Sequence, residues 1–256
     1  MAQLLDFDNS STSDSIVIVG NGPSLLKTPM NFKYPSFAMN RISLLYQQTS
    51  WRPDYFLCTT TNIADQDWRS DIVKSIDLGI PCFVWENLLE YLPRSYSNVV
   101  PIRCAFGDVV TNQPSLSLWC SDPLNKPLSK FGTSLLVAVQ LAVFMRYKNI
   151  YLVGCDLGFK DPFLLHRVVN KLVNYTNKLT KFFDFKLKIK FDDSNHFSSS
   201  YGTPGFSSKV LNQNMTCAHE IIKLASTTYG FHVYNASLSG GLVIHDSVDI
   251  KTIIAR

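Results

Sequence analysis

The residues best suited to chemistry are a few polar side chains set beside glycine. Gly20-Asn21-Gly22-Pro23-Ser24-Leu25 combines two glycines with an amide that both donates and accepts hydrogen bonds. The glycines let backbone approach a ligand closely and adopt positive φ. Pro23 stiffens the turn, and Ser24 is placed to cap a following helix. Such a turn either holds a ligand through its N–H groups or is a plain tight β-to-α turn. It lacks the third glycine of Gly-x-Gly-x-x-Gly and the Lys-Ser/Thr pair of a P-loop. A Rossmann dinucleotide or a P-loop triphosphate is therefore not expected. Gly154-Cys155-Asp156 is a second polar, glycine-containing strand end.

His196 sits in a polar loop after Asp192-Asp193-Ser194-Asn195. Nearby carboxylates orient an imidazole and tune its pKa, which suits a general base; the alternative is an ordinary surface histidine. His219 falls in a helix and His232 in a strand, where structural roles are expected. No metal site is expected. There is no Asp-x-Asp, and the adjacent pair Asp192-Asp193 is a poor chelate. No Gly-x-Ser-x-Gly elbow is present. The 6 cysteines are scattered through apolar contexts without Cys-x-x-Cys spacing, which predicts reduced, structural thiols in a reducing compartment.

The elements that must position these residues alternate in kind. Ile16 to Val19 is β-branched, continuous and bounded by glycine, as expected of a strand buried on both faces of a parallel sheet. Further strands are expected at Phe37 to Met39, Tyr55 to Thr59, Cys82 to Trp85, Asn98 to Ile102 and Asn149 to Asp156, the last ending in Gly and Asp. A final strand is expected at Phe231 to Asn235. Helices are expected over Asp67 to Leu78, over Gly132 to Tyr147 and over Lys209 to Tyr229, the last with Gly230 as its C-cap. The middle helix is apolar nearly all round and belongs in the interior. Gly107 to Leu128 reads as a long loop. Strand, helix, strand in this order is a parallel β/α unit, so the ends at Gly20-Asn21-Gly22 and Gly154-Cys155-Asp156 are expected at one carboxyl edge.

Composition sets bounds. The chain has 256 residues, 46% hydrophobic, enough for one sizeable core. A net charge of +4 favours anionic ligands weakly and does not demand nucleic acid. No run of about 18 apolar residues suggests a membrane span. Residues 1–14 have no basic region followed by an apolar core, so a flexible lead-in is expected rather than a signal peptide. Lys171, Lys178, Lys181, Lys186, Lys188 and Lys190 interleave with Phe182, Phe183, Phe185 and Phe191. This segment reads either as a solvated face or as an electrostatic contact with an anionic lipid or glycan.

With these residues in place, the chain resembles the bacterial lipooligosaccharide sialyltransferases and their relatives, the motility-accessory-factor-like proteins and Kdo-transferase-like domains. The resemblance is carried by Gly20 to Leu25, Met39-Asn40-Arg41, Gly132-Thr133-Ser134, Lys148 to Asp156, Ser194-Asn195-His196 and Tyr234-Asn235-Ala236-Ser237. It implies one Rossmann-like α/β domain over 15–256, with a mainly parallel sheet, helices on both faces and a lid about 157–205. It implies inverting, metal-independent transfer of sialic acid, Kdo or a related ulosonic acid from a CMP-sugar to a glycan or glycolipid acceptor, as in lipopolysaccharide or capsule synthesis. His196 would be the base. Gly20, Asn21, Gly22, Ser24, Asn40, Thr59, Thr133, Ser134, Asp156 and Tyr201 would bind the nucleotide or donor, Thr133 and Ser134 from a helix start that favours anions. The CMP-sugar is a substrate, and no cofactor is implied. A cytoplasmic protein, peripheral at the inner membrane face and free to form a homo-oligomer, would fit.

The chain departs from that pattern at three places. Thr59 stands where an Asn is expected, Gly158 where a Tyr is expected and Phe131 where an Arg is expected; Tyr201 or a lid lysine could substitute. Two other readings remain. One is pyrophosphoryl transfer to a hydroxymethylpterin, which requires Mg²⁺. The other is a non-catalytic nucleotide- or glycan-binding protein.

Overall fold

The computed structural model describes residues 2–106, 113–131, 133–158, 195–198, 200–201, 208–238 and 241–255. Ten strands are found among them. They are β1 (Ser15–Val19), β2 (Ser36–Met39), β3 (Tyr55–Cys58), β4 (Cys82–Trp85), β5 (Val99–Ile102), β6 (Cys104–Phe106), β7 (Leu128–Lys130), β8 (Asn149–Val153), β9 (His232–Asn235) and β10 (Asp246–Ser247). The helices are α1 (Gln66–Ile76), α2 (Ser134–Phe144) and α3 (Ser208–Tyr229).

Eight strands form one sheet in the order β10-β9-β8-β1-β2-β3-β4-β5, and every pairing in it is parallel. From β1 the chain runs outward on one side to β5, then returns to place β8 against the other side of β1. That reversal between β1 and β8 is the switch point where open α/β sheets bind ligands, just beyond the strands' carboxyl ends. β6 and β7 form a small separate parallel pair leading into α2.

Burial on both faces explains the unbroken apolar strands. Ile16 and Ile18 point into a core shared with α2 and α3, through residues such as Leu136, Val139, Ala218 and Ile222. Val17 and Val19, one position out of phase, point into the opposite core with Ile72 and Ile76 of α1. Helices thus cover both faces. α2 is buried at every residue from Ser134 to Ala142, as its all-round apolarity predicts. Gly230, at φ +72, ends α3 in the left-handed conformation expected of a C-cap.

Several expectations are corrected. Residues 2–14 are packed rather than frayed: Phe7 meets Phe83 edge-on at 4.9 Å, and Ser11 N donates to Met145 O at 2.9 Å. Phe7 packs against the core cluster that contains Phe83 of β4. The stretch expected as one long loop ends in strand β7, and β6 lies just before it. β9 is not the last strand, because β10 pairs beside it. The expected lid about 157–205, with Lys186, Lys188 and Lys190, lies almost wholly outside the described residues. No described helix is long and apolar enough to cross a membrane.

Candidate active site

The turns after β1 and β8 meet at the switch point. Gly20 N donates to Val153 O at 2.7 Å and Gly22 N to Gly154 O at 2.8 Å. These amides, expected to face a ligand, are used to join the two turns. The glycines are required by the same contact. A Cβ on Gly20 would lie 2.9 Å from Cys155 Sγ, and one on Gly22 2.8 Å from Asp156 Cγ. Asp156 Oδ2 accepts from Ser24 N at 2.7 Å and so caps the short 3-10 helix Pro23–Lys27. Ser24 is therefore capped rather than capping, and its buried Oγ has no hydrogen-bond partner among the described residues. Asn21 donates through Nδ2 to Met39 O at 3.1 Å, while its buried Oδ1 accepts no hydrogen bond from the described residues. An unsatisfied buried acceptor at a strand end is a place where a ligand's donor recovers free energy.

The next two strand ends converge on the start of α2. Asn40 follows β2 at φ +55, a left-handed conformation that asparagine tolerates. Its Nδ2 donates to Ser134 Oγ at 3.0 Å, and Thr59 N donates to its Oδ1 at 3.5 Å. Thr59 and Ser134 share a hydroxyl–hydroxyl bond of 2.7 Å. Thr133 is the N-cap of α2, accepting from Leu135 N at 3.2 Å. Asn40, Thr59, Thr133 and Ser134 thus form one polar cluster at a helix N-terminus, where the macrodipole favours anions.

Lys130 was not singled out from sequence. It is buried beside this cluster, donates from Nζ to the Thr59 carbonyl, and lies 4.8 Å from the Phe106 ring centroid. No carboxylate among the described residues forms an ion pair with it. Burial pushes its amine below the ordinary lysine range. Phe131, where the resemblance leads one to expect an Arg, is in the core, so the cation stands one position earlier. Only its basic character could have marked it, and that does not separate it from surface lysines. Gly158, at φ +102, has a backbone that side chains rarely adopt, which makes a tyrosine a poor fit there.

His196 is brought to this edge by its neighbours. Phe197 is buried, and its N–H donates to Asn21 O at 3.0 Å. The Tyr201 ring stacks on the His196 imidazole with centroids 3.9 Å apart and planes 10° apart. Asp192 and Asp193, expected to orient the imidazole, lie outside the described residues. Burial pushes the Cys58, Cys104 and Cys155 thiols near this edge up to about 12, so they are protonated and weakly nucleophilic at neutral pH. Among the described residues, no group of three or more His, Cys, Asp or Glu is placed to hold a metal ion. The arrangement offers amides, hydroxyls, a buried cation and an imidazole along one edge of the sheet, a set suited to an anionic, hydrogen-bonding ligand and to proton transfer.

No family model and no curated protein sequence matches the chain. Solved structures do. The MAf glycosyltransferase from Magnetospirillum magneticum AMB-1 superimposes with a TM-score of 0.51 at 12% identity, over 96% of this chain and 35% of its own. The fold resembles that of the MAf glycosyltransferase. This chain spans about a third of that protein's length. A CST-II sialyltransferase variant in complex with CMP matches with a TM-score of 0.45 at 14% identity, over 92% of this chain and 86% of its own. CstII from Campylobacter jejuni, in complex with cytidine-5'-monophosphate, matches with a TM-score of 0.36 at 14% identity, over 94% of this chain and 87% of its own. At these two scores the likeness carries no weight. The fold expected from the sequence resemblance is the fold found.

Proposed function

We propose that this chain is a metal-independent, inverting glycosyltransferase that moves an acidic ulosonic sugar, such as sialic acid or Kdo, from CMP to a glycan acceptor. The observation that carries this reading is the bond from Phe197 N to Asn21 O, which ties the His196 segment to the turn after β1. That bond supports reading His196 as the base acting beside the polar residues at the carboxyl ends of the strands. Asn21 and Asn40 are suited to the cytidine, through the Oδ1 of Asn21, unpartnered among the described residues, and the amide of Asn40. Thr133, Ser134 and the nearby Lys130 are suited to the donor's phosphate and carboxylate. Asp156 shapes the turn by capping Ser24. His196 removes the acceptor hydroxyl proton as that oxygen attacks the anomeric carbon. The bond from that carbon to the phosphate oxygen breaks, and CMP leaves with the electron pair. Attack opposite the leaving group inverts the centre.

The test pairs binding with turnover. CMP is expected to raise the melting temperature without added metal, because a ligand that binds only the folded state stabilises it by mass action. His196→Ala is expected to keep that shift and to lose roughly 10²–10⁴-fold in CMP release from a CMP-sugar. Stabilisation only by UDP, ADP or GDP, or only with magnesium, would defeat the CMP assignment. Magnesium dependence would favour pyrophosphoryl transfer instead.

A further inference from the structure

We propose that Arg41, held by Asp71, is a positioning residue that sets the plane and place of the His196 imidazole. The inference rests on reading His196 as the base for its consequence in turnover, but not for its geometry. Arg41 follows Asn40 at the end of β2 and is 7% exposed. A buried guanidinium is costly unless its donors are satisfied with good geometry. Here Nε and Nη2 both donate to Asp71 Oδ2 on α1. Nη1 donates to two main-chain carbonyls of the His196 segment, Ser200 O at 2.9 Å and Tyr201 O. The guanidinium lies 5.0 Å from the Trp68 ring centroid and 5.9 Å from that of Tyr201. Trp68, also on α1, meets Tyr201 edge-on at 5.3 Å.

These contacts form a chain that ends on the imidazole. Asp71 orients Arg41, Arg41 fixes the backbone of Tyr201, and the Tyr201 ring lies flat on His196 at 3.9 Å. Directly after His196, Phe197 N is tied to Asn21 O. The segment that carries the imidazole is thus anchored both to the turn after β1 and to the end of β2. An ion pair serving the core alone would close on itself. This one uses Nη1 on the very segment that carries the imidazole. Lysine cannot replace it, since a point charge lacks the planar fork that reaches a carboxylate and carbonyls together.

Proton NMR of the 256-residue chain reads the stacking directly, because the Tyr201 ring current displaces the imidazole signals of His196. Those signals are assigned by their absence in His196→Ala. In Arg41→Lys and in Asp71→Asn the displacement is expected to collapse. Turnover is expected to fall by up to about 10²-fold with little change in donor KM, the signature of lost orientation. Lys74→Gln removes the exposed partner of Asp71 and is expected to change neither readout. If the single variants fail to fold, Arg41→Gln with Asp71→Asn leaves no unpaired buried charge and carries the same expectations. A displacement that persists in these folded variants overturns the proposal. If the displacement collapses but His196→Ala keeps full turnover, the positioning stands and the base assignment falls.

Discussion

A methyl group on Gly22 would press on Asp156, with its carbon 2.8 Å from Asp156 Cγ and 2.8 Å from the Gly154 carbonyl oxygen. The backbone of Gly22 is ordinary, at φ −71, so space and not conformation demands glycine there. Gly22→Ala is therefore expected to destabilise the fold by about 1–3 kcal/mol, as overpacking does. Chemical denaturation reads this as a lower midpoint at unchanged slope. An unchanged midpoint would mean that Asp156 swings aside without loss. The hexapeptide's residue types were informative in sequence, yet their reason was not legible there. The partner of Ser24 N is a carboxylate 132 positions later, and only folding brings the two together. Lys130 was missed, and Arg41 was named without a role, for the same reason. A basic residue earns notice only when burial is known, and burial belongs to the tertiary structure.

At the scale of elements, legibility follows length and pattern. β1, β8 and α2 are continuous and apolar, and each lies within a residue or a few of where the sequence puts it. β6, β7 and β10 span only two or three residues and have no period to detect. Gln140 shows how an exception inside a clear element carries meaning. It is 1% exposed in the middle of α2. Its Oε1 accepts from Cys120 N at 2.9 Å and Ser129 N at 3.2 Å, and its Nε2 donates to Ser129 O at 2.9 Å. One side chain thus ties β7 and the segment before it to α2, and β7 carries Lys130. Gln140→Leu fits the apolar helix by size but leaves those buried backbone groups unpaired. It is expected to cost at least about 1–3 kcal/mol, measured by thermal or urea unfolding. A change within the roughly 0.5 kcal/mol typical of surface substitutions would show that other partners satisfy them.

For the molecule as a whole, alternating strands and helices made a parallel α/β fold legible, but not the strand order that creates the switch point. β8 returns to β1 across more than a hundred residues, and no local pattern encodes that pairing. A second long-range contact gives the whole fold a pH dependence. His219 on α3 and His245 ahead of β10 are buried and hydrogen-bonded, Nδ1 to Nε2, at 3.0 Å. Burial, with the neighbouring His245, pushes His219 down to about 3. Burial, aided by Lys223 and opposed by Asp246, pushes His245 down to about 4. Both imidazoles are ordinary in the unfolded chain, near ~6.5. Between that value and the folded ones, the unfolded state binds more protons, so stability rises with pH and falls on acidification. Above pH ~7 the pair contributes no slope. Lowering the pH from about 6.5 to about 4.5 is expected to remove on the order of 4–5 kcal/mol through this pair, at about 1.4 kcal/mol per pH unit for each proton gained on unfolding. Carboxylates titrate at the acid end of this range, so the comparison is with His219→Phe/His245→Leu, which keeps them. Urea unfolding across that range should give a shallower slope for the double variant than for the native chain. Parallel slopes would mean that both imidazoles protonate freely in the folded state, and the pair would then be no source of acid sensitivity.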